Sequence, residues 1–510
     1  MLDWQGTKKF VAERKELFIL LVTALVLYSV ALNDSVDGGD AAQYLVAGKA
    51  LAEGKGYADV SFPGNPSFAY YPPAYPAIIS AVFLLFGQNF VAVKFLSVLF
   101  AVFSVFISYL IFLKFFEERM SFLISAALAF NLLLLWYSHR ALTETFYLFV
   151  SISAIYLLLS YLRKEPFPRY NFVAGTVLVV VAFFTKTIGA ALGAAAAGVF
   201  FGKKEFKKSL ILLLILLSFV IFWAYYISSV SSETSSIQGS YFSQFLLKDL
   251  DNPQLGNASI FELGQRAVSN FSYYAFVSIP QAVFPLLDIA FFFSQQNIFL
   301  LAVAAAIGLI FLLGYFSSWA RSFNLIHLYI ALYFLVLLFW PYADTSAVDR
   351  FLLPVLPFLL MFFVRGLMLL PIEAMARKEF IYIVLVTGIV ASLASDAFYL
   401  SSIHERQLSP EYKEFVEAAN WLKENSAGES VVLTNESFRA FLLSGRKTVQ
   451  LEESSLEELN QKISRFGVDF ILLAPFDSPF KETVEKNAAE FQLIFEGSSG
   501  KTRVFRVASG

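Results

Sequence analysis

Residues 17–44 read LFILLVTALVLYSVALNDSVDGGDAAQY, an apolar run followed directly by a cluster of aspartates. The apolar part, Leu17–Leu32, approaches the roughly 20 mainly apolar residues that a membrane-spanning helix needs. Acidic residues follow it in place of the small residues of a cleavage site, so we expect no cleaved signal peptide. The stretch therefore predicts a membrane helix that ends beside an acidic cluster at one membrane surface.

The composition of the 510 residues agrees with a membrane protein. Hydrophobic residues make up 58% of the chain and charged residues only 15%, whereas soluble globular domains carry about 25% charged residues. This excludes a wholly soluble enzyme, a disordered chain, collagen and a coiled coil. The formal net charge of -2 gives no indication of a nucleic-acid partner. The absence of cysteine excludes disulfides and Cys-ligated zinc, and three histidines argue against a His-rich metal site.

Long apolar segments predict a polytopic α-helical membrane protein with about 11 to 13 transmembrane helices, an odd number. Two further apolar stretches are too short or too broken to be assigned as spans, Ala77–Phe86 and the Pro-interrupted Tyr273–Phe293. The eleven predicted spans are Leu17–Leu32, Phe90–Leu113, Ser121–Tyr137, Leu142–Leu162, Phe172–Phe184, Ile188–Phe201, Leu210–Val230, Ile298–Phe316, Asn324–Trp340, Phe351–Leu370 and Phe380–Leu400.

The charges of the loops predict the orientation of these helices. With the N-terminus inside, 17 Lys and Arg residues of the first 402 positions lie on the cytoplasmic side, and the other eight lie outside or at outer helix ends. Cytoplasmic loops normally carry this excess of positive charge. We therefore expect a multi-pass plasma-membrane protein with a cytoplasmic N-terminus, long external loops at about 33–89 and 231–296, and an extracytoplasmic C-terminal part.

The C-terminal residues have a different composition. Residues 403–510 contain 30 charged residues in 108 positions, which is typical of a soluble domain. We therefore divide the chain into a transmembrane domain, 1–402, and a soluble extracytoplasmic α/β domain, 403–510. Periodicity and turn residues predict helices at Pro410–Asn425, Phe438–Ser444, Ser455–Phe466 and Lys481–Glu490, strands at Ser430–Thr434 and Asp469–Ala474, and a hairpin of Phe491–Glu496 with Thr502–Val507. With no phosphate loop or catalytic triad in it, this domain is expected to be accessory or to bind the acceptor.

Two carboxylates are the main candidates for catalysis. Asp40 lies where a helix can begin, as an N-cap, and the Gly38-Gly39 pair before it allows a sharp turn and the close approach of a substrate. Glu144 lies in the first turn of an apolar helix that enters from outside, where carboxylates usually face the protein interior or a water-filled cavity. A simple alternative for Glu144 is a helix-dipole contact or an ion pair with Arg140.

Cations at outer helix ends complete the predicted polar site. Each of them alone is expected to be a snorkelling anchor. Together with the two acids they suggest one site under the outer leaflet, in which a carboxylate deprotonates an acceptor hydroxyl and the cations bind a phosphate. These cations are His139, Arg140, Lys186 and Arg350.

Five ordered motifs resemble those of the GT-C membrane glycosyltransferases, over residues 1 to about 402. The closest branch is the prokaryotic one related to protein O-mannosyltransferases and to the lipid A aminoarabinose transferase. The motifs are GGDAAQYLVAGKAL (38–51), YYPPAYP (70–76), RALTE (140–144), FFTK (183–186) and RFLLPVLP (350–357).

This resemblance implies an inverting transfer of a hexosyl or pentosyl group from a polyprenyl-phosphate donor to a lipid, glycan or protein acceptor at the outer face. It implies that Asp40 is the catalytic base or orients the acceptor, that Glu144 is the second catalytic acid, and that Arg350 lies near the donor phosphate. The expected substrate-binding residues are Asp37, Tyr44, Tyr71, His139, Arg140, Lys186, Arg266 and Arg350.

Two positions depart from the resembled enzymes. Tyr71 stands where the aminoarabinose transferase has a Lys before its Pro-Pro pair, and Ala41 stands where the O-mannosyltransferases have a Glu. The substrate of neither enzyme is therefore carried over to this chain.

Other functions are weighed against the enzyme. A transporter of a lipid-linked or anionic substrate should show charges at mid-membrane on several helices, whereas here they gather at one face. A non-enzymatic anchor for the C-terminal domain would need neither eleven spans nor a polar cluster. Asp37 and Asp40 would be candidate ligands of a divalent metal ion, but too few further ligands are present for us to favour a cofactor.

Overall fold

The structure is a computed structural model that describes residues 14–230, 241–250, 252–287, 297–341, 348–407, 409–451, 455–475, 483–484 and 491–507. Helices make up most of the described residues up to 407, and a five-stranded sheet with helices on it follows. This confirms the predicted class, a helical membrane protein with a small C-terminal α/β unit.

The helices of the membrane part are numbered in chain order. The first nine are α1 (Lys15–Val30), α2 (Asp40–Ala52), α3 (Ala74–Phe86), α4 (Phe90–Phe112), α5 (Glu118–Ala129), α6 (Leu132–Ser138), α7 (Thr143–Leu162), α8 (Pro168–Thr185) and α9 (Ala190–Gly202). The next nine are α10 (Phe206–Val230), α11 (Tyr241–Leu246), α12 (Ile260–Tyr273), α13 (Ile279–Val283), α14 (Ile298–Ser322), α15 (Leu325–Phe339), α16 (Val348–Leu352), α17 (Leu356–Leu367) and α18 (Ala374–Gln407).

Seven segments of the described chain are long and apolar enough to cross a bilayer: α4, α7, α8, α10, α14, Arg350–Leu367 and Ala374–Ser402. The bent pair α5 and α6 makes an eighth if it is one span. Shorter apolar helices, α3, Thr187–Gly202 and α15, and the 16-residue α1 cover further predicted segments. The total of 11 to 13 spans depends on whether these shorter helices also cross, and stays a prediction.

Two predicted apolar segments are broken in the structure, and they contact each other. The segment expected as one span, Ser121–Tyr137, is instead α5 and α6, bent by 54°. The buried Asn131 lies at the break, where its side chain caps α6 by accepting from the Leu133 N–H and donates to the Ala282 carbonyl at 2.8 Å. Ala282 belongs to α13, which follows a π-helical turn in the second broken segment. Polar groups freed by one break are thus satisfied by the other.

Burial differs strongly among the membrane segments. The apolar windows of α7 and of Arg350–Leu367 are 72% and 83% buried inside the protein, whereas that of α10 is only 17% buried. α7 packs against α4 and α8, and against the turn before α17. The two most enclosed windows are therefore those whose segments carry Glu144 and Arg350.

The C-terminal unit is a five-stranded mixed sheet with the order β2-β1-β3-β5-β4. β1 runs parallel to β2 and β3, and β5 of the hairpin β4–β5 pairs antiparallel with both β3 and β4. The elements are α19 (Pro410–Asn425), β1 (Val431–Thr434), α20 (Ser437–Ser444), β2 (Lys447–Gln450), α21 (Leu456–Phe466), β3 (Val468–Leu473), β4 (Phe491–Glu496) and β5 (Arg503–Val507).

Alternate residues of the central strands build two cores. Val432 and Leu472 pack on the side of α19 and α20, and Leu433 and Ile471 pack on the side of α21. Strands that are buried on both faces read as continuous apolar runs, which is why β1 and β3 are predictable from sequence. The strand β2 was not predicted, because its KTVQ is short and half polar. The predicted helix Lys481–Glu490 lies almost wholly outside the described residues.

The sheet unit packs on the segment between α2 and α3. The edge strand β2 donates from the Thr448 N–H to the Ser61 carbonyl at 2.7 Å, and Lys447 Nζ donates to the Val60 carbonyl at 2.7 Å. Phe62 meets Phe466 edge to face, with ring centroids 5.1 Å apart. α18 continues to Gln407, past the predicted boundary at 402, so the division into two domains there stays a prediction.

Candidate active site

Asp40 is the first residue of α2, and the structure corrects its predicted role as an N-cap. Gly39 takes the capping position with φ 60° and ψ -134°, a backbone conformation that glycine adopts without a steric penalty. No side chain caps the helix there. The carboxylate of Asp40 instead accepts from Tyr71 Oη at 2.6 Å and from Arg350 Nη2 at 2.7 Å. Both oxygens are therefore bound by residues distant in sequence.

Glu144 lies in the first turn of α7, as predicted, and its side chain is 1% exposed. Lys186 Nζ donates to its Oε1 at 2.7 Å, and Arg350 Nε lies 3.4 Å from the same oxygen. Of the simpler alternatives, the position in the first helical turn allows the helix-dipole contact, whereas the Arg140 guanidinium lies 4.5 Å above the Trp136 ring. A buried carboxylate needs this compensation, since burial without a cation is strongly unfavourable.

Asp40, Glu144, Lys186 and Arg350 form what we call the ion cluster. Two acids and two bases meet there with a formal charge of zero, and Arg350 contacts both acids. The cluster is closed at one end and open at the other: Glu144 is 1% exposed, whereas Asp40 and Arg350 are 26% and 28% exposed. A ligand can therefore reach the Asp40–Arg350 pair, while the Glu144–Lys186 pair stays inside.

Tyrosines form the wall beside Asp40. The rings of Tyr44 and Tyr71 have centroids 4.6 Å apart, and Tyr44 meets Tyr75 edge to face at 5.5 Å. Tyr70 packs on Tyr71 at 4.3 Å. This packing fixes the Tyr71 ring and hence the hydroxyl that donates to Asp40. The structure thus brings the predicted Tyr44 and Tyr71 to the site, and Tyr71 acts as a hydrogen-bond donor to Asp40.

Two further predicted residues, His139 and Arg266, have partners outside the ion cluster. His139 is buried between the Leu135 carbonyl, 2.9 Å from Nδ1, and Tyr399 Oη, 3.1 Å from Nε2. Burial, and after it the neighbouring Arg140, lower the pKa of His139 to about 4, so the imidazole is neutral at pH 7. Arg266 donates to the backbone carbonyls of Phe245, Leu247, Lys248 and Phe339.

A lysine that sequence analysis missed holds the loop before Asp40. The side chain of Lys94 is 2% exposed, and its Nζ donates to Asn33 Oδ1 at 2.9 Å and to the Ser35 carbonyl at 2.7 Å. The predicted Asp37 lies 3.8 Å from this ammonium and is not part of the ion cluster. The signal in the sequence was a single lysine within the apolar segment Phe90–Phe112. Within the described parts of the chain, no three His, Asp or Glu side chains are grouped as ligands for a metal ion.

Comparison with known proteins gives one family match. Residues 71–227, less than a third of the chain, match the family model of dolichyl-phosphate-mannose-protein mannosyltransferase. A search of curated proteins finds no match. The matched segment includes Glu144 and Lys186 of the ion cluster.

Solved structures resemble the chain over nearly its full length. ArnT from Cupriavidus metallidurans, in the apo state, is 13% identical with a TM-score of 0.58, and the alignment covers 97% of this chain and 98% of that one. The same protein bound to undecaprenyl phosphate is also 13% identical with a TM-score of 0.58, covering 96% and 98%. The oligosaccharyltransferase AglB from Archaeoglobus fulgidus, in complex with an inhibitory peptide and a dolichol-phosphate, is 10% identical with a TM-score of 0.56, covering 90% and 69%. The chain thus has the GT-C fold, which confirms the resemblance seen in the motifs.

The buried pair of Glu144 and Lys186 can be tested by a double-mutant cycle. Removing one partner of a buried ion pair typically costs about 3–5 kcal/mol, so Glu144→Gln and Lys186→Met should each lower the free energy of unfolding. The double variant should lose less than the sum of the two, because the partners act together. Thermal unfolding in detergent measures this. The matched control is Lys208→Met, which breaks the more exposed pair with Glu205. If the losses in free energy of unfolding at Glu144 and Lys186 are additive, the two residues are not coupled.

Proposed function

We propose that this chain, which has the GT-C fold, is an inverting glycosyltransferase that moves a sugar from a polyprenyl-phosphate donor to an acceptor hydroxyl at the outer membrane face. The observation that carries the proposal is the Asp40–Arg350 pair at the open end of a buried ion cluster. The undecaprenyl phosphate and dolichol-phosphate named for the similar structures support a lipid-phosphate donor.

Arg350 is the proposed ligand of the donor phosphate. It is the more accessible of the two cluster cations, with 28% of its side chain exposed against 14% for Lys186. Guanidinium groups bind phosphate oxygens through paired, charge-assisted hydrogen bonds. A phosphate on Arg350 would take the place of Asp40 on Nη2, so donor binding exchanges one anion for another and leaves the Asp40 carboxylate free.

Asp40 is then the proposed general base. The acceptor hydroxyl attacks the anomeric carbon of the donor, a new glycosidic bond forms, and the bond between that carbon and the phosphate oxygen breaks. The proton of the hydroxyl passes to Asp40, and the polyprenyl phosphate leaves with the bonding electron pair. Tyr71 keeps one carboxylate oxygen in place through its 2.6 Å hydrogen bond. The other oxygen, which Arg350 has released, accepts the proton.

Glu144 is a positioning residue in this scheme. It is buried and contacts both cluster cations, so it pairs with Lys186 and holds Arg350 beside Asp40. Its enclosure leaves no path for an acceptor, which distinguishes it from Asp40. We therefore propose that Glu144 positions Arg350, in place of the catalytic role that the resemblance implies for it.

The enzyme and the transporter are distinguished by one experiment. Purified protein in detergent is incubated with a labelled polyprenyl-phosphate sugar and candidate lipid, glycan or protein acceptors. Transfer of label needs no membrane gradient if the chain is an enzyme. Transport of the same donor into vesicles, without label on any acceptor, would instead support the transporter.

The variant Asp40→Asn tests the general base. Loss of a base typically lowers the rate by about 10²–10⁴-fold. Donor binding should be retained or strengthened, because the amide no longer neutralises Arg350. The measurement is the transfer rate at saturating donor, with lipid-phosphate affinity and thermal stability measured in parallel. Asp34→Asn, in the exposed part of the loop, is the control. If Asp37→Asn loses transfer while Asp40→Asn stays active, the base is Asp37 and not Asp40.

Arg350→Ala tests the phosphate site. Hydrogen bonds to charged groups contribute about 1.5–3 kcal/mol, so donor affinity should fall by roughly 10- to 100-fold with little change for the acceptor. Arg350→Lys should recover part of the affinity because it keeps the charge but lacks the planar fork. Arg163→Ala, whose guanidinium bonds to the Lys114 carbonyl, is the control. If donor affinity is unchanged in Arg350→Ala, Arg350 has a structural role only and does not bind the donor phosphate.

The proposed orientation is tested with reporters. The excess of cytoplasmic Lys and Arg predicts that the sheet unit lies outside the cytoplasm. A reporter that is active only outside the cytoplasm, fused after Gly510, should be active. A silent fusion beside an active cytoplasmic reporter would reverse the topology and remove Asp40 from the outer face.

A further inference from the structure

The guanidinium of Arg439, in the C-terminal sheet unit, packs against Gly38 of the first external loop. Arg439 lies in the first turn of α20, its side chain is 14% exposed, and its Nη1 is 3.6 Å from the carboxylate of Glu436. A Cβ atom added to Gly38 would overlap this guanidinium, with Cζ only 2.9 Å away. The absence of a side chain at Gly38 is therefore what lets Arg439 approach the backbone two residues before Asp40.

A second contact from the sheet unit reaches the same loop. The backbone N–H of the buried Val36 donates to Tyr412 Oη of α19 at 2.9 Å. From the membrane side, Lys94 Nζ holds the Ser35 carbonyl. The segment Ser35–Asp40 is thus held on one side by α4 and on the other by α19 and α20.

We propose that Arg439 and Tyr412 are positioning residues for the transfer reaction, through which the sheet unit sets the place of Asp40. The inference rests on the proposed function, and it gives the C-terminal unit a role inside the reaction. Two consecutive glycines precede Asp40, and glycine has more conformational freedom than any other residue. A catalytic carboxylate must be held within about 0.5 Å of its productive place, so a loop of this kind needs packing from outside.

Further hydrogen bonds hold the sheet unit against the rest of the chain. Thr448 and Lys447 of β2 bond to the loop at Ser61 and Val60, and Gln88 Nε2 donates to the Leu442 carbonyl of α20 at 3.0 Å. These contacts lie away from Asp40 and keep the whole unit in place. Arg439 and Tyr412 can therefore be changed singly while the unit stays attached.

Gly38→Ala is the first test. Gly38 does not have the left-handed backbone that would strain an alanine, and the three atoms nearest to an added Cβ all belong to the Arg439 side chain. A displacement of about 1 Å in a catalytic group can cost up to 10²-fold in rate. We expect Gly38→Ala and Arg439→Ala each to lower kcat by roughly 10- to 100-fold, with donor affinity unchanged. The double variant should have the same kcat as Arg439→Ala, because both changes disrupt the same contact between Arg439 and Gly38.

The control for the added methyl is Gly428→Ala, in the same unit, where a Cβ meets nothing within 4 Å. It should keep the wild-type kcat, and thermal unfolding checks that each variant is folded. Wild-type kcat in both Gly38→Ala and Arg439→Ala, in a protein that transfers sugar, would overturn the positioning role and leave the proposed function standing.

Hydrogen exchange supplies a readout that does not depend on transfer. In Tyr412→Phe the Val36 amide loses its acceptor, so a peptide covering residues 33–45 should exchange faster while the peptides of β1 and β3 keep their protection. If the wild-type protein transfers no sugar, the proposed function fails, and this exchange alone decides whether the sheet unit holds the loop. Unchanged exchange of residues 33–45 in both Tyr412→Phe and Arg439→Ala would overturn the inference.

Discussion

The buried carboxylate of Glu144 is the constraint on which the arrangement of the membrane part depends. An ionised carboxyl group removed from water is costly unless cations and hydrogen bonds compensate it. Lys186, at the end of α8, and Arg350, at the start of the Arg350–Leu367 span, supply that compensation. The three segments must therefore place these ends at one level, and this brings Arg350 within reach of Asp40 at the start of α2.

A gradient of exposure along the ion cluster follows from this arrangement. The inner pair of Glu144 and Lys186 is the less exposed and has a proposed structural role, whereas the outer pair of Asp40 and Arg350 is the more exposed and is the one proposed to exchange partners. In the proposed mechanism the cluster has no surplus cation to receive a phosphate, so a phosphate bound to Arg350 would replace the Asp40 carboxylate there. That exchange would couple occupation of the donor site to release of the base, so that Asp40 is competent only when a donor is present.

The C-terminal unit takes part in the same arrangement. Its edge strand bonds to Val60 and Ser61 after α2, and its helices α19 and α20 contact Val36 and Gly38 in the segment that leads to Asp40. The structure shows the sharp turn expected at the glycine pair and adds a contact beside the substrate approach suggested by sequence. Gly39 allows the turn into α2, and Gly38 leaves room for a side chain of the protein itself.

The sequence alone determined the features that depend on local composition and periodicity: the apolar segments, the charged C-terminal part with its β1 and β3 strands, and the placement of Asp40, Glu144 and Lys186 at helix ends. It could not determine pairings between distant residues. Asp40 and Arg350 are 310 positions apart, and no local pattern shows that Glu144 meets Lys186 and not Arg140. The burial of Lys94, the bend at Asn131 and the approach of Arg439 were decided only by tertiary structure. The physical reason is that the partner of a buried charge or backbone group is chosen by which helices pack together, and charge spacing along one segment carries no information about the others.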